Sequence, residues 1–251
     1  MVRWWMWMVL LGLIVPYRGY SDSKDKKIIV DDFSEYEVNS FPEKATNEWR
    51  IFSLADFKTK NYWVVEEGGN KFLRAQIPKD LDRKQKAITI IKRLVKSQGE
   101  NGKKEFYEPK DYPYLSWRWR VHRLPNGSDE RIEDEQTKKS DSAAGIYIYF
   151  QKDGRSPNII KYVWSEVQPV GERFISPASK DIYVAHIVVL KSGAEGLGEW
   201  VWEKVNIIED FKKEFGTQAP PRILGVGILT DADSTNTEAA ADYDDIVLSS
   251  D

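Results

Sequence analysis

The sequence predicts an all-β fold, an antiparallel two-sheet β-sandwich with one or two short helices at its periphery. Three observations carry that expectation. From Ile28 onward, short apolar stretches alternate with turn-rich polar ones. Long helical periodicity is scarce, and neither an internal repeat nor a linker divides the chain, so 21–251 reads as one domain. In chain order the expected strands are 71–77, 87–95, 115–122, 144–151, 159–165, 182–190, 223–230 and 243–248. The segment 80–96 is ambiguous: its Lys, Arg and Gln suit a helix, while Ala87-Ile88-Thr89-Ile90-Ile91 favours a strand. One helix is well signalled. Asn206 can cap the backbone that follows, Glu209 occupies the third helical position, and Ile208, Phe211 and Phe215 share a face before Gly216 stops the run. Polar loops fall at 97–105 and 126–141, the second dense in charge.

Composition removes several classes of chemistry. There are no cysteines and two histidines, His122 and His186, which excludes disulfides, thiol nucleophiles, iron–sulfur clusters and cysteine zinc sites. Forty acidic against 37 basic side chains leave a formal charge of −3 and no basic face for nucleic acid. Residues 1–20 hold Arg3 and a twelve-residue apolar run at 4–15. That run is shorter than the ~20 residues a membrane-spanning helix needs but suits a signal peptide, so the chain is expected to be periplasmic or secreted, with no transmembrane span after signal removal. The rival reading is an uncleaved anchor, because 16–20 lacks a small-x-small cleavage site. Without those twenty residues, 35 basic side chains face 40 acidic ones, a net of −5.

The most informative strand is Trp117-Arg118-Trp119-Arg120-Val121. Strand side chains alternate, so both tryptophans turn to one face and both arginines to the other. The tryptophans read as core. The arginines either pair with nearby carboxylates or donate planar hydrogen bonds to an acidic saccharide. Tyr147 with Tyr149, and Tyr162 with Trp164, repeat the alternation; each pair is core or a stacking platform for pyranose rings. His186 shares a face with Val184 and Val188 and reads as a satisfied, semi-buried histidine. Near the end, Asp231 and Asp233 offer oxygens of the kind calcium takes, without the glycine and distal glutamate of an EF-hand. Asp31-Asp32-Phe33 mirrors Asp244-Asp245-Ile246. If the first and last strands pair, Asp32 and Asp245 approach and would repel without a cation, so these residues read either as solvated turn carboxylates or as the ligands of a structural calcium.

These strings resemble the bacterial family labelled domain of unknown function 3047. The resemblance rests on Asp32-Phe33, Tyr114-Leu115-Ser116 leading into Trp117-Arg118-Trp119-Arg120, Leu124-Pro125-Asn126-Gly127, Tyr162-Val163-Trp164, Gly198-Glu199-Trp200, Phe215-Gly216, Thr230-Asp231-Ala232-Asp233-Ser234-Thr235 and Asp244-Asp245-Ile246. Gly145 departs from it, standing where an arginine is expected. The layout is also similar to jelly-roll, galactose-binding-like carbohydrate-binding modules, which implies a structural calcium near the first and last strands; an analogy of fold does not establish function.

Together these readings predict an exported, non-catalytic protein that binds a saccharide or envelope glycan through Arg118, Arg120, Tyr147, Tyr162, Trp164, Asp231 and Asp233. Two alternatives stand beside it. One is a purely structural envelope protein. The other is a polysaccharide lyase, which needs a cation to neutralise a uronate, a base and an acid; Arg118 or Arg120, His186 and Tyr162 fill those roles only if they converge. Oligomeric state is not legible in the sequence.

Overall fold

A computed structural model describes residues 26–42, 49–52, 60–98, 104–131, 139–152, 157–177, 184–216 and 220–251. The expected signal peptide lies outside them. Among the described residues the strands run, in chain order, β1 (Lys27–Asp31), β2 (Trp49–Phe52), β3 (Tyr62–Glu67), β4 (Asn70–Ile77), β5 (Thr89–Arg93), β6 (Val95–Gln98), β7 (Lys104–Phe106), β8 (Tyr114–Arg123), β9 (Ala144–Phe150), β10 (Asn158–Ser165), β11 (Arg173–Ile175), β12 (Val184–Ser192), β13 (Val201–Asn206), β14 (Ile223–Leu229) and β15 (Ala239–Ser249). The only α-helix among them is α1 (Ile207–Phe215), and single 3-10 turns cover Arg83–Gln85 and Pro109–Asp111. No helix among these residues is long and apolar enough to cross a membrane.

All but β6 and β7, which pair only with each other, form the two-sheet sandwich that alternation implies. One sheet has the order β13-β8-β15-β4-β3, with β1 also paired to β15; the other has the order β11-β12-β10-β9-β14-β5-β2. Pairing is antiparallel except between β10 and β12, which run parallel. A parallel pair needs a long crossover, and here the connection between them carries β11, which pairs with the far edge of β12. The ambiguous 80–96 segment resolves into a 3-10 turn followed by β5 and the start of β6.

The core lies between the sheets. Trp117, Trp119 and Val121 of β8 are fully buried, as their alternation predicts, and they meet the other sheet through Tyr162, 5.6 Å from Trp117, and Trp164, 6.2 Å from Trp119. α1 closes one end. Asn206 accepts from the backbone N–H of Ile208 and Glu209, and Gly216 ends the helix at φ 98, beyond easy reach of an L side chain. A polar clamp fastens it: the Tyr162 hydroxyl donates to Asp210, Arg173 bridges Asp210 and Glu214, and His186 pairs with Glu214 at 2.8 Å.

β15 positions the site. It runs beside β8 along its length, while its other edge is shared: β4 pairs with its first half and β1 with its second. Where β1 stops and β4 begins, β15 carries a bulge after Asp244, and Asp245 takes φ 51. A bulge bends a strand and re-aims one side chain.

Candidate functional site

The solvent-facing side of the six-stranded sheet carries the complement of the tryptophan face. Arg118, Arg120 and His122 of β8 lie there, beside Asp242 and Asp244 of β15, Phe72 and Arg74 of β4, and Glu67 of β3. Asp242 is fully buried at the centre. It accepts from Arg74 Nε at 2.8 Å and Arg120 Nη2 at 2.7 Å, and His122 Nε2 lies 2.6 Å away. Glu67 closes the set, 3.2 Å from Arg74 and 2.8 Å from Arg120. Burial alone would raise the Asp242 carboxyl, but its bonds to His122, Arg74 and Arg120 outweigh burial and hold it below the usual range. The Arg120 hydrogen bond likewise lowers Glu67. Asp244 goes the other way: burial raises it, against hydrogen bonds from Asn70 at 2.9 Å and Arg118 at 2.5 Å.

Aromatic rings interleave with these guanidinium groups. Trp200 sits between Arg118 and Arg120, each 4.7 Å from its ring, and meets Phe72 edge-on at 5.3 Å. Arg120 also covers Phe72, so that ring is closed over. Trp202 takes the other side of Arg118 at 5.7 Å and remains 61% exposed. A tryptophan this open, held beside a guanidinium, is unusual on a sheet face that is otherwise ion-paired.

The arginines therefore occupy the face that alternation predicts, opposite the core tryptophans. The expectation that they are free to take an acidic ligand needs correction. Arg118 pairs with Asp244 and Asp245, and Arg120 with Asp242 and Glu67, so their charge is already met by protein carboxylates.

The aromatic partners expected for them are misplaced. Tyr162 and Trp164 are fully buried on the inner face of the other sheet, where no surface ligand reaches them. Tyr147, with Tyr149, lies on the opposite side of that sheet, packed with Ile159, Ala185 and Leu229. Alternation assigns parity; which parity faces solvent depends on where the second sheet packs. The lyase constellation fails for the same reason: Tyr162 and His186 serve the α1 clamp inside the sandwich, and Arg118 and Arg120 lie outside it. Gly145 sits on the Tyr147 side too, where a side chain would meet that ring at 3.0 Å.

Asp231 and Asp233 gather with Asp141, not with the arginines; one oxygen from each lies within 4.8 Å of the others. Ser234 N, Thr235 N and Thr235 Oγ1 all donate to Asp141. Burial, then the Asp141 charge, raises both Asp231 and Asp233. These are hard oxygen donors of the type calcium takes. Asp32 and Asp245 do line one cleft of 210 Å³, together with Ser34, Gly69, Asn70 and Lys71. That donor set does not fit calcium, which takes six to eight oxygens: Asp245 is paired with Arg118 at 2.8 Å, and the Lys71 side chain shares the cleft.

Sequence reasoning left Trp202, Asp242, Asp244 and Asn70 out of the candidate site. The string Trp200-Val201-Trp202 carries the same alternation as 117–119 and is the one local signal that pointed there.

Among solved structures the chain is similar to a family 30 carbohydrate-binding module (11% identity, 93% of this chain and 91% of that one, TM-score 0.43). It is also similar to the endo-1,4-beta-glucanase CelB2 (8%, 75% and 85%, TM-score 0.41) and to the catalytic domain of Humicola grisea Cel12A (10%, 89% and 98%, TM-score 0.41). Likeness at this level says nothing about ligand or activity. No curated protein sequence matches. The Trp-Arg-Trp-Arg strand, Trp200 and the bulge at Asp245 all fall within residues 47–247, the span matched by the family described as Protein of unknown function (DUF3047), and the chain belongs to that family.

Proposed function

We propose that this chain is an exported, non-catalytic protein that binds a saccharide on the outer face of its six-stranded sheet. The observation that carries the reading is Trp202, exposed and set beside Arg118 at the margin of an ordered lattice of polar groups. A flat ring next to fixed donors and acceptors is what a pyranose needs, since its apolar face stacks while its hydroxyls bond sideways. Preorganisation supports the reading as well. Each guanidinium is held by a carboxylate and a ring, so little freedom is lost on binding. The apolar run at 4–15 supports export.

The test is calorimetric titration with mono- to hexasaccharides of glucan, mannan and xylan and with uronate oligomers, on the protein and on Trp202→Ala. At least one series should bind saturably, and the variant should lose tenfold or more in affinity, the factor that about 1.4 kcal/mol supplies. Its melting temperature should hold, because the ring is exposed. Wild-type binding to no saccharide, or undiminished binding by Trp202→Ala, would overturn the reading.

A further inference from the structure

We propose that the ligand is a neutral oligosaccharide lying across the strands, with one ring on Trp202 and its end in the cleft beside Asp245. This rests on the saccharide reading above and adds a direction, a charge class and a second subsite.

Direction comes from the register. Trp202 of β13 pairs with Arg118 of β8, Arg118 pairs with Asp244 of β15, and Asn70 at the start of β4 donates to Asp244. The first three residues form one rung; Asn70, two residues along β4 from the position opposite Asp244, extends it by its side-chain hydrogen bond to the cleft, which Asn70 and Asp245 line. Three strand intervals separate its ends, about 14 Å at the usual spacing. That is more than one pyranose ring covers and suits a chain of a few.

The cleft has the chemistry of a hydroxyl site. Asp32 and Asp245 bring acceptors, and the donors Asn70, Lys71 and Ser34 are held in place by bonds to Asp244, to the backbone oxygens of Ser34 and Tyr36, and to Asp32, in a volume of 210 Å³. A sugar hydroxyl both donates and accepts, so it uses such a mixture, whereas a cation meets the ammonium and a simple anion meets the carboxylates. Beside the cleft, Arg118 Nε lies 2.8 Å from Asp245 Oδ2, yet its buried N–H is not aligned with an acceptor.

Both walls are held in backbone conformations that side chains seldom adopt. Asp245 has φ 51 on the β15 bulge, and Phe33, between Asp32 and Ser34, has φ 53. Strain of this kind clusters at ligand sites. The third wall is a two-residue hairpin turn in which Gly68 and Gly69, at φ 60 and 83, bring Asn70 to the rim.

Charge class follows from the pairing. Arg74, Arg118 and Arg120 face Glu67, Asp242, Asp244 and Asp245 on this surface, which leaves no excess positive charge for a uronate.

The experiment is the same length series titrated into wild type, Trp202→Ala, Asn70→Ala and Ser34→Tyr, the last placing a bulky side chain in the cleft. Neutral oligomers should gain affinity with length up to the chain that spans rung and cleft. The two cleft variants should remove that gain, about tenfold for the loss of one or two hydrogen bonds, while keeping wild-type affinity for the disaccharide. Cleft variants that bind every length as wild type does, with Trp202→Ala still impaired, would overturn the spanning subsite and leave saccharide binding standing. Tighter binding of uronate oligomers than of neutral ones would overturn the charge class. Binding of no saccharide by wild type would overturn both this proposal and the one it rests on.

Discussion

Glu130 gives the most quantitative forecast in the molecule. Its side chain is buried, with Ser165 Oγ donating to Oε2 at 2.6 Å and Ser142 Oγ donating to Oε1 at 3.3 Å. Burial pushes its carboxyl from 4.5 up to about 7, and the serine bonds only limit the rise. A folded-state value above the unfolded one means that folding favours the protonated form. The stability this contributes is complete below pH 4.5 and disappears as pH climbs through 7. At about 1.4 kcal/mol per unit, the ionised carboxylate costs the fold about 3 kcal/mol above pH 8. Glu130→Gln keeps the shape, accepts the Ser165 bond through its amide oxygen, donates to Ser142 Oγ through its amide N–H, and cannot ionise. The variant should match wild type near pH 4 and exceed it by up to about 3 kcal/mol above pH 8. Urea unfolding at half-unit steps from pH 4 to 9, with slopes compared to confirm a common unfolded state, measures the difference directly. A variant uniformly weaker than wild type, with no pH dependence in the gap, would refute the reasoning and show that the ionised carboxylate is a net stabiliser.

Other outcomes follow from single contacts. Asp233→Asn should raise the melting temperature in chelator at neutral pH, because burial and the Asp141 charge already disfavour its ionised form. In excess calcium the order should invert if the three aspartates hold the cation; a wild-type melting temperature indifferent to both calcium and chelator would dismiss a calcium there. Asn206→Ala should cost about 1 kcal/mol through the lost cap of α1, read from chemical denaturation. Trp119→Ala should cost about 3–5 kcal/mol, since that ring is fully buried, whereas Trp202→Ala should cost almost nothing.

The parts of the fold legible in the sequence are those where local alternation and burial agree. β8, β9, β10 and β14 were visible because apolar residues fill the inner face, and α1 because its cap, apolar stripe and stop glycine lie within eleven residues. β13 was not, since Glu203 and Lys204 interrupt it and leave no apolar pattern. The first half of β15 was missed because Ala239-Ala240-Ala241-Asp242 holds residues that strands disfavour. Asp242 is tolerated mid-sheet only because Arg74 and Arg120 arrive from neighbouring strands. The site was half legible for the same reason. Opposition of Arg118 and Arg120 to the core tryptophans is a local fact, whereas their carboxylate partners on β15 stand more than a hundred residues along the chain. The approach of Asp32 to Asp245 was readable from the matching ends of the chain; the competing Arg118 was not.

Asp242 supplies the last test, with a sign opposite to that of Glu130. Three cationic or hydrogen-bonding side chains converge on this buried carboxylate, and together they hold its titration below the ordinary 3.8. Its contribution to stability is therefore present above pH 3.8 and is lost as pH falls through the lower folded value. Buried ion pairs are weak evidence for stability, because desolvation offsets much of their attraction, but removal of one partner leaves the others uncompensated, at about 3–5 kcal/mol. Asp242→Asn should lose stability of that order at pH 7, and the loss should shrink as pH falls below 3.8 and through the lower folded value, where the wild-type carboxyl itself becomes neutral. The variant also releases Arg74 and Arg120 from their anchor while Trp202 stays where Arg118 holds it. Saccharide affinity should consequently fall less than in Trp202→Ala, and the face should begin to accept uronate oligomers, since two guanidinium groups are no longer neutralised by Asp242. A variant that still rejects uronates, although folded by circular dichroism, would show that the pairing of these arginines does not set the charge preference of the face.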